Sequence, residues 1–427
     1  MTDNILLLLK PCRIFFYSFI IVFFSHALSC TNSYSKEKTA SLSINKRADK
    51  IHKSVFKIDT HVDTPISLQN PNFNMGRRHR FNLYRGKVDF PRIREGGINA
   101  IFFAVFIRQE YLTKKWYKKK NRETLKIISI IHRTLRKNKK WAKLALSTGD
   151  IKKINRSGKI AVLIGIENGY AIGRDLSLVK KYYKLGVRYI TLCHTTNNDI
   201  CDSSTDHNGP SHRGLSEFGK KVVREMNRTG MIIDVSHISD LAFHDVMKIT
   251  GAPVIASHSN AREICETPRN LSDSMLEKLS ANGGIINISL VKDYVKVFPE
   301  NTKRDKLLKA LRKKYNNFSK LSNRMRGRAF VEQGRINRKF LKKLPTVADV
   351  VDHIEHVVKV AGIGHVGIGS DFDGGARVEG CLDISQMGSI TRELVKRGYN
   401  KEEIGKIWGG NFMRVFEKVE LVAREGE

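Results

Sequence analysis

The chain has 427 residues and is 41% hydrophobic, enough for one large barrel or two ordinary domains around a sizeable core, which excludes a disordered chain. Its 76 Lys+Arg against 42 Asp+Glu leave a formal net charge of +34 and a sequence pI near 10.0, so its surface attracts polyanions such as nucleic acid or anionic lipid headgroups. No nucleic-acid-binding motif accompanies the charge, and no nucleic acid is expected as a partner.

At the amino terminus, Lys10 and Arg13 precede an apolar stretch, Ile14 to Phe24, that is too short for a comfortable membrane span and runs into small residues. That pattern predicts a signal peptide over 1–29. Ala27-Leu28-Ser29-Cys30 resembles the cleavage box of bacterial lipoproteins, with Ala27 where Leu is more usual, so Cys30 is expected to become a lipidated first residue. The protein is then exported to the cell envelope and anchored to a bacterial membrane, with simple secretion or an uncleaved anchor as the other outcomes. Residues 30–50 read as a tether and 51–427 as a single domain. Cys193, Cys201, Cys265 and Cys381 show no CxxC pairing, which signals neither a zinc knuckle nor a disulfide framework.

Eight apolar β-rich runs follow, over 55–60, 98–106, 160–166, 187–193, 231–236, 253–257, 284–290 and 365–370. Segments of helix length separate them, for example Leu215 to Asn227 and Thr346 to Ala361, and Gly230, Gly251, Gly283 and Gly362 punctuate the returns. Eight parallel strands alternating with helices predict an α/β fold, a (β/α)8 TIM barrel. Residues 114–140 hold twelve Lys/Arg and one acid, and 303–343 hold sixteen against Asp305 and Glu332. Both read as helices with solvated basic faces or as contacts for a membrane or polyanion. The stretch 294–345 is too long for a plain loop and predicts a basic helical excursion after the seventh strand.

Several acid and imidazole groups sit where these runs stop, and such strand ends converge on one rim of a barrel. In His61-Val62-Asp63 the period of two puts both side chains on one side of a strand, and imidazole plus carboxylate is a fair zinc half-site, although a lone HxD is as easily a strand-end turn. Glu167 ends a run buried on both faces, where an unpaired carboxylate is costly; an ion pair with Arg or Lys is the bland reading, a carboxylate bridging two metals the functional one. His237 and His258 end adjacent strands, so their rings can meet at one ion, whereas either alone reads as a satisfied core histidine. Together the five fit two zinc ions sharing Glu167, each with two private ligands and an open position for a bridging water. His194, Asp371 and Arg269 then offer an oxyanion donor, a proton shuttle and a carboxylate clamp, though Arg269 by itself reads as a surface arginine.

These residues lie in motifs that resemble the zinc-dependent membrane dipeptidases, also called renal dipeptidases, over about residues 56–416. The matching stretches include Asp59-Thr60-His61-Val62-Asp63, Gly165-Ile166-Glu167-Asn168-Gly169, Asp234-Val235-Ser236-His237, Ser257-His258-Ser259, Pro268-Arg269-Asn270 and Gly369-Ser370-Asp371-Phe372-Asp373-Gly374. The resemblance implies that His61 and Asp63 hold one zinc, His237 and His258 the other, and that Glu167 bridges them. It implies that His194 and Arg269 bind the substrate's carbonyl and C-terminal carboxylate, and that Asp371 handles the proton bound for the leaving amine. The implied reaction is hydrolysis of dipeptides, including those with a C-terminal D-amino acid, by attack of a zinc-bridging hydroxide on the peptide carbonyl. A homodimer is also implied. The competing readings are another amidohydrolase barrel, which would usually carry HxH and a bridging lysine, and a non-catalytic lipid-anchored binding protein.

Overall fold

The computed structural model describes residues 42–80, 85–299, 302–318, 321–340 and 344–425; the expected signal peptide and Cys30 lie outside them. Nine strands are found among these residues: β1 (Ile58–Val62), β2 (Ala100–Phe106), β3 (Ala142–Leu144), β4 (Ile160–Glu167), β5 (Val187–Thr191), β6 (Ile232–Asp234), β7 (Ile255–Ser259), β8 (Ile285–Ile288) and β9 (Val366–Ile368). Eight pair in parallel in the order β1-β2-β4-β5-β6-β7-β8-β9, and helices occupy the crossovers. The ring is drawn shut where the chain leaving β9 returns to β1: Asp371 N donates to His61 O and Asp63 N to Phe372 O, each at 2.9 Å. Asp59 adds a side-chain clasp, its Oδ1 accepting from Ser370 N at 2.9 Å. The architecture is that of a TIM barrel.

The ninth strand, β3, was not legible in the sequence. It is three residues long, Lys143 faces solvent, and it pairs only with the first half of β4, from Ile160 to Val162. The first run, expected over 55–60, forms its strand later, from Ile58, because residues 42–54 are a helix. That helix also moves the expected tether boundary. Residues 42–50 belong to it, and Ala48 and Ile51 are buried in the core, so the folded unit begins ahead of residue 51.

The alternation of side chains along each strand sorts the core into two layers. On β4, Val162, Ile164 and Ile166 pack outward under the helices, while Ala161 and Leu163 join an inner cluster with Ile58, Phe102, Tyr189, Ile232, Ile255 and Ile285. Phe412, from the helix Asn411–Glu425, closes that cluster from below, its ring centroid 5.4 Å from Phe102. The same inward alternation continues up β4 through Gly165 to Glu167. A Cβ at 165 would lie 2.1 Å from Tyr189 Cζ, so the glycine is what lets the Tyr189 ring cross the barrel axis. Between β8 and β9 the chain leaves the barrel in two basic helices, Thr302–Lys314 and Asn323–Phe340, whose Leu311, Tyr315 and Ala329 form a small cluster of their own. No helix among the described residues is long and apolar enough to cross a membrane.

His52 locks the first helix onto the barrel. Its Nε2 donates to Gly96 O at 3.0 Å, and its Nδ1 lies 2.7 Å from Thr391 Oγ1, which in turn accepts from Trp408 Nε1 at 2.8 Å. Burial, with help from Lys57, pushes the imidazole down to about 4. Below the ordinary histidine value of about 6.5 the unfolded chain therefore takes up a proton that the folded chain refuses. The stability this contact lends is complete above pH ~6.5 and is lost as pH falls through about 4. Urea midpoints measured from pH ~6.5 down to ~4 should fall more steeply for the wild type than for His52→Gln; parallel curves would show that His52 is not the group responsible.

Candidate active site

Glu167 is the centre of the rim. It is the last residue of β4, points into the barrel and is 3% exposed. Four histidines surround its carboxylate: His237 Nε2 at 3.1 Å, His194 and His258 Nε2 at 3.5 Å each from Oε1, and His61 Nε2 at 3.7 Å from Oε2. Asp63 Oδ1 and Asp371 Oδ1 stand 3.9 and 4.0 Å from His61 Nε2. Residues far apart in sequence, on β1, β4 and β7 and just after β1, β5, β6 and β9, therefore meet within one small volume.

Local geometry explains how each arrives there. Asp63 is the residue before the helix Thr64–Leu68 and makes no capping bond with its side chain, which leaves the carboxylate free to turn inward. His237 and Asp371 both hold positive φ, 74° and 58°, a backbone state that non-glycine residues adopt at a cost of about 1–3 kcal/mol and that clusters at functional sites. Gly374 clears the space beside them: a Cβ there would meet Asp371 Oδ1 at 2.1 Å and Asp63 Oδ2 at 2.8 Å.

Electrostatically the pocket is a set of neutral imidazoles around carboxylates that resist ionisation. Burial pushes His61 and His194 down to about 3 and His237 and His258 well below the usual histidine range. Burial likewise raises Glu167 and Asp371 far above the carboxylate range, with Asp63 adding repulsion in each case, and lifts Asp63 to about 7. Buried His61 Nε2 and Asp63 Oδ1 lack any hydrogen-bond partner. Neutral imidazole nitrogens and crowded carboxylate oxygens with unused lone pairs suit divalent cations, which would supply the missing positive charge.

Two triples have donor atoms within 4.8 Å of one another: His61, Glu167 and His258, and Glu167, His194 and His237. These cut across the division expected from the sequence, which paired His61 with Asp63 and His237 with His258. His258 stands between the two, its ring centroid 3.8 Å from His61 and its Nε2 2.9 Å from His237 Nε2. Arg269 is not a surface residue. It is 3% exposed, with Nη1 donating to Ser259 Oγ and Nη2 to His258 O, both at 3.0 Å, and its guanidinium lies 5.0 Å from the Tyr294 ring centre.

The supporting layer was missed in the sequence. Asp234, fully buried at the end of β6, accepts four hydrogen bonds: from Ser236 N at 3.0 Å and Ser257 N at 2.8 Å on Oδ1, and from Thr191 Oγ1 at 2.5 Å and Ser257 Oγ at 2.6 Å on Oδ2. A carboxylate only accepts, so it takes the single hydroxyl proton of Ser257. Ser257 Oγ must then accept from His258 Nδ1, 2.8 Å away, which leaves the His258 Nε2 lone pair facing Glu167. Tyr189, whose OH is 2.9 Å from His61 Nδ1, holds the other ring in the same manner. Asp234 and Ser257 were visible only as neighbours of the histidines, two positions before Ser236 and one before His258; their spacing from Thr191 is purely tertiary.

The match to known proteins extends over most of the chain. Residues 45–427 fit the family model for membrane dipeptidase, Peptidase family M19. The dipeptidase aclJ of Aspergillus oryzae is 34% identical over 86% of this chain and 78% of its own length, and the dipeptidase tcpJ of Claviceps purpurea 33% identical over 79% and 70%. Among solved structures, the probable dipeptidase PvdM of Pseudomonas aeruginosa superposes with a TM-score of 0.77 at 27% identity, covering 89% of this chain and 99% of its own.

The Asp234–Ser257–His258 chain makes a direct prediction. Asp234→Asn, which frees the Ser257 proton, and Ser257→Ala, which removes the acceptor, should each weaken metal binding about 10–100-fold in chelator competition. Melting of the metal-free protein should move little for Ser257→Ala. Unchanged metal affinity in both variants would reduce the chain to a packing feature.

Proposed function

The chain belongs to the membrane dipeptidase family, Peptidase family M19, a family of metal-dependent hydrolases, and from that premise we propose that it is a binuclear zinc dipeptidase. The observation that carries this reading is the convergence of four neutral histidines on Glu167 beside the carboxylates of Asp63 and Asp371. His61 and Asp63 would hold one ion and His237 and His258 the other, with Glu167 shared. When bound, the ions supply Lewis acidity and a water ionised near neutral pH.

The remaining groups act on the substrate. Arg269 keeps its Nε without a protein partner and is oriented by Ser259 and the His258 carbonyl, a geometry suited to clamping the C-terminal carboxylate. Pairing with that charge limits the substrate to short peptides, because a longer chain carries its carboxylate elsewhere. His194 is more open than the other histidines, with 24% of its side chain exposed, and as a neutral imidazole donates to the peptide carbonyl oxygen as negative charge builds there. Asp371, 4.0 Å from His61 Nε2 at the edge of the cluster, would relay a proton to the departing amine nitrogen. Acceptance of a D-residue at the second position rests on family membership alone.

For location, we infer export and attachment through an acyl group on Cys30, supported by the basic start, the apolar stretch and the small residues before the cysteine. Mass spectrometry of the mature amino terminus should find a diacylglyceryl group there; a free Cys30 thiol refutes lipidation.

The hydrolytic reading is tested by zinc content and by turnover of Ala-D-Ala, Gly-D-Ala and their C-terminal amides. Asp371→Asn should keep its zinc and lose about 10²–10⁴-fold in kcat. Arg269→Gln should raise KM for free dipeptides about 10–100-fold and leave the amides nearly unaffected. A wild type without zinc, or full turnover in Asp371→Asn, would sink the mechanism.

A further inference from the structure

The two helices between β8 and β9 carry more positive charge than their own packing uses. In the second, Asn323–Phe340, the residues Arg324, Arg328, Val331, Arg335 and Arg338 are all exposed and follow one another at helical spacings of four, three, four and three. They therefore form a single outward stripe about 21 Å long. The only acid of that helix, Glu332, flanks the row one turn from Arg328 and Arg335, and its carboxylate is taken up by Lys314 and Tyr315 of the neighbouring segment at 2.8 and 2.7 Å. The basic helix before it, Thr302–Lys314, adds seven Lys/Arg against Asp305. Val331, 54% exposed, stands within this row, while Phe330 and Met325, 60% and 46% exposed, project on its two flanks.

We propose that this face docks the protein onto an anionic phospholipid surface. Row-wise arginines match a plane of phosphate groups, each basic residue near such a surface adding to the attraction. Val331, in the middle of the row, selects lipid over nucleic acid, because a phosphate backbone in water leaves it wet, whereas the boundary between headgroups and acyl chains buries it. The excursion leaves from the carboxyl end of β8, the end of the barrel on which Glu167 and Arg269 lie, and its first helix, Lys292–Val295, supplies the Tyr294 ring that lies beside Arg269. The docked segment and the Tyr294 ring beside Arg269 thus belong to one excursion of the chain. The proposal depends neither on the hydrolytic reading nor on an acyl group at Cys30.

The test uses the full chain with phosphatidylcholine vesicles, with and without phosphatidylglycerol. Any attachment by the amino terminus is common to both, so the readout is the gain in binding on adding the anionic lipid. Reversing all four arginines (R324E, R328E, R335E and R338E) should cut that gain roughly a hundredfold, with soluble dipeptide turnover and circular dichroism unchanged. A control of equal charge change on the exposed face of the helix Lys114–Lys137 (K115E, K118E, R122E and K126E) should cost far less. Replacing Val331 by serine separates insertion from charge and should weaken binding a few-fold. Equal losses in the two charge reversals would overturn the proposal in favour of diffuse attraction by the +34 net charge. A stripe that governs binding to RNA while vesicle binding stays put would overturn it in favour of nucleic acid.

Discussion

The rim of this barrel is organised around the cost of burying negative charge. Glu167 lies 3% exposed at the end of a strand covered on both faces, with Asp63 and Asp371 close enough to raise its proton affinity further. An ionised carboxylate in such surroundings needs a compensating cation. The four histidines do not provide one, because the same burial keeps them neutral. Arg269 lowers Glu167, Asp371 and the four imidazoles together, and Arg85 lowers Asp63, but they do not offset the burial of three carboxylates. The set is complete chemically only with added positive charge, and neutral imidazole is the form that binds it.

Holding this arrangement takes concessions elsewhere in the fold. Gly165 gives up a side chain on β4 so that Tyr189 can reach His61 across the interior. Gly374 does the same beside Asp63 and Asp371. His237 and Asp371 accept left-handed backbone, and hydrogen bonds from neighbouring segments, Ser204 N to His237 O and Asp371 N to His61 O, fix them there. Asp234 sits below the histidines as a fully bonded carboxylate, so it orients Ser257 and His258 without adding an unmet charge to the pocket.

Charge outside the barrel has the opposite sign from charge inside its mouth. The exterior is strongly basic, densest over 114–140 and on the two basic helices between β8 and β9, while the mouth gathers Asp63, Glu167 and Asp371 above buried Asp59 and Asp234. A positive exterior raises the local concentration of substrates that carry a carboxylate, and Arg269 continues that sign to the bottom of the site. The same exterior field attracts an anionic surface, so recruitment to lipid and capture of substrate draw on one property of the sequence.

Much of this was written in local patterns. Apolar runs at barrel spacing, the strand-end positions of His61, Asp63, Glu167, His194, His237, His258 and Asp371, and the ordered family motifs are all read within a few residues, because strand alternation is a property of the chain itself. Other features exist only once the barrel closes. β3 is too short and too wet to show as an apolar run, and the helix over 42–54 reveals its buried face only against Gly96 and Thr391. Arg269 reads as a surface residue until the loop folds its guanidinium beneath Tyr294, and Asp234 reads as one more polar residue until Thr191 and Ser257 deliver their hydroxyls to it. The sequence by itself determined which groups stand at the ends of strands. Only the tertiary contacts set how closely they crowd, which protons they keep and which neighbours orient them, because those depend on desolvation and on hydrogen bonds between segments from about twenty to more than a hundred residues apart.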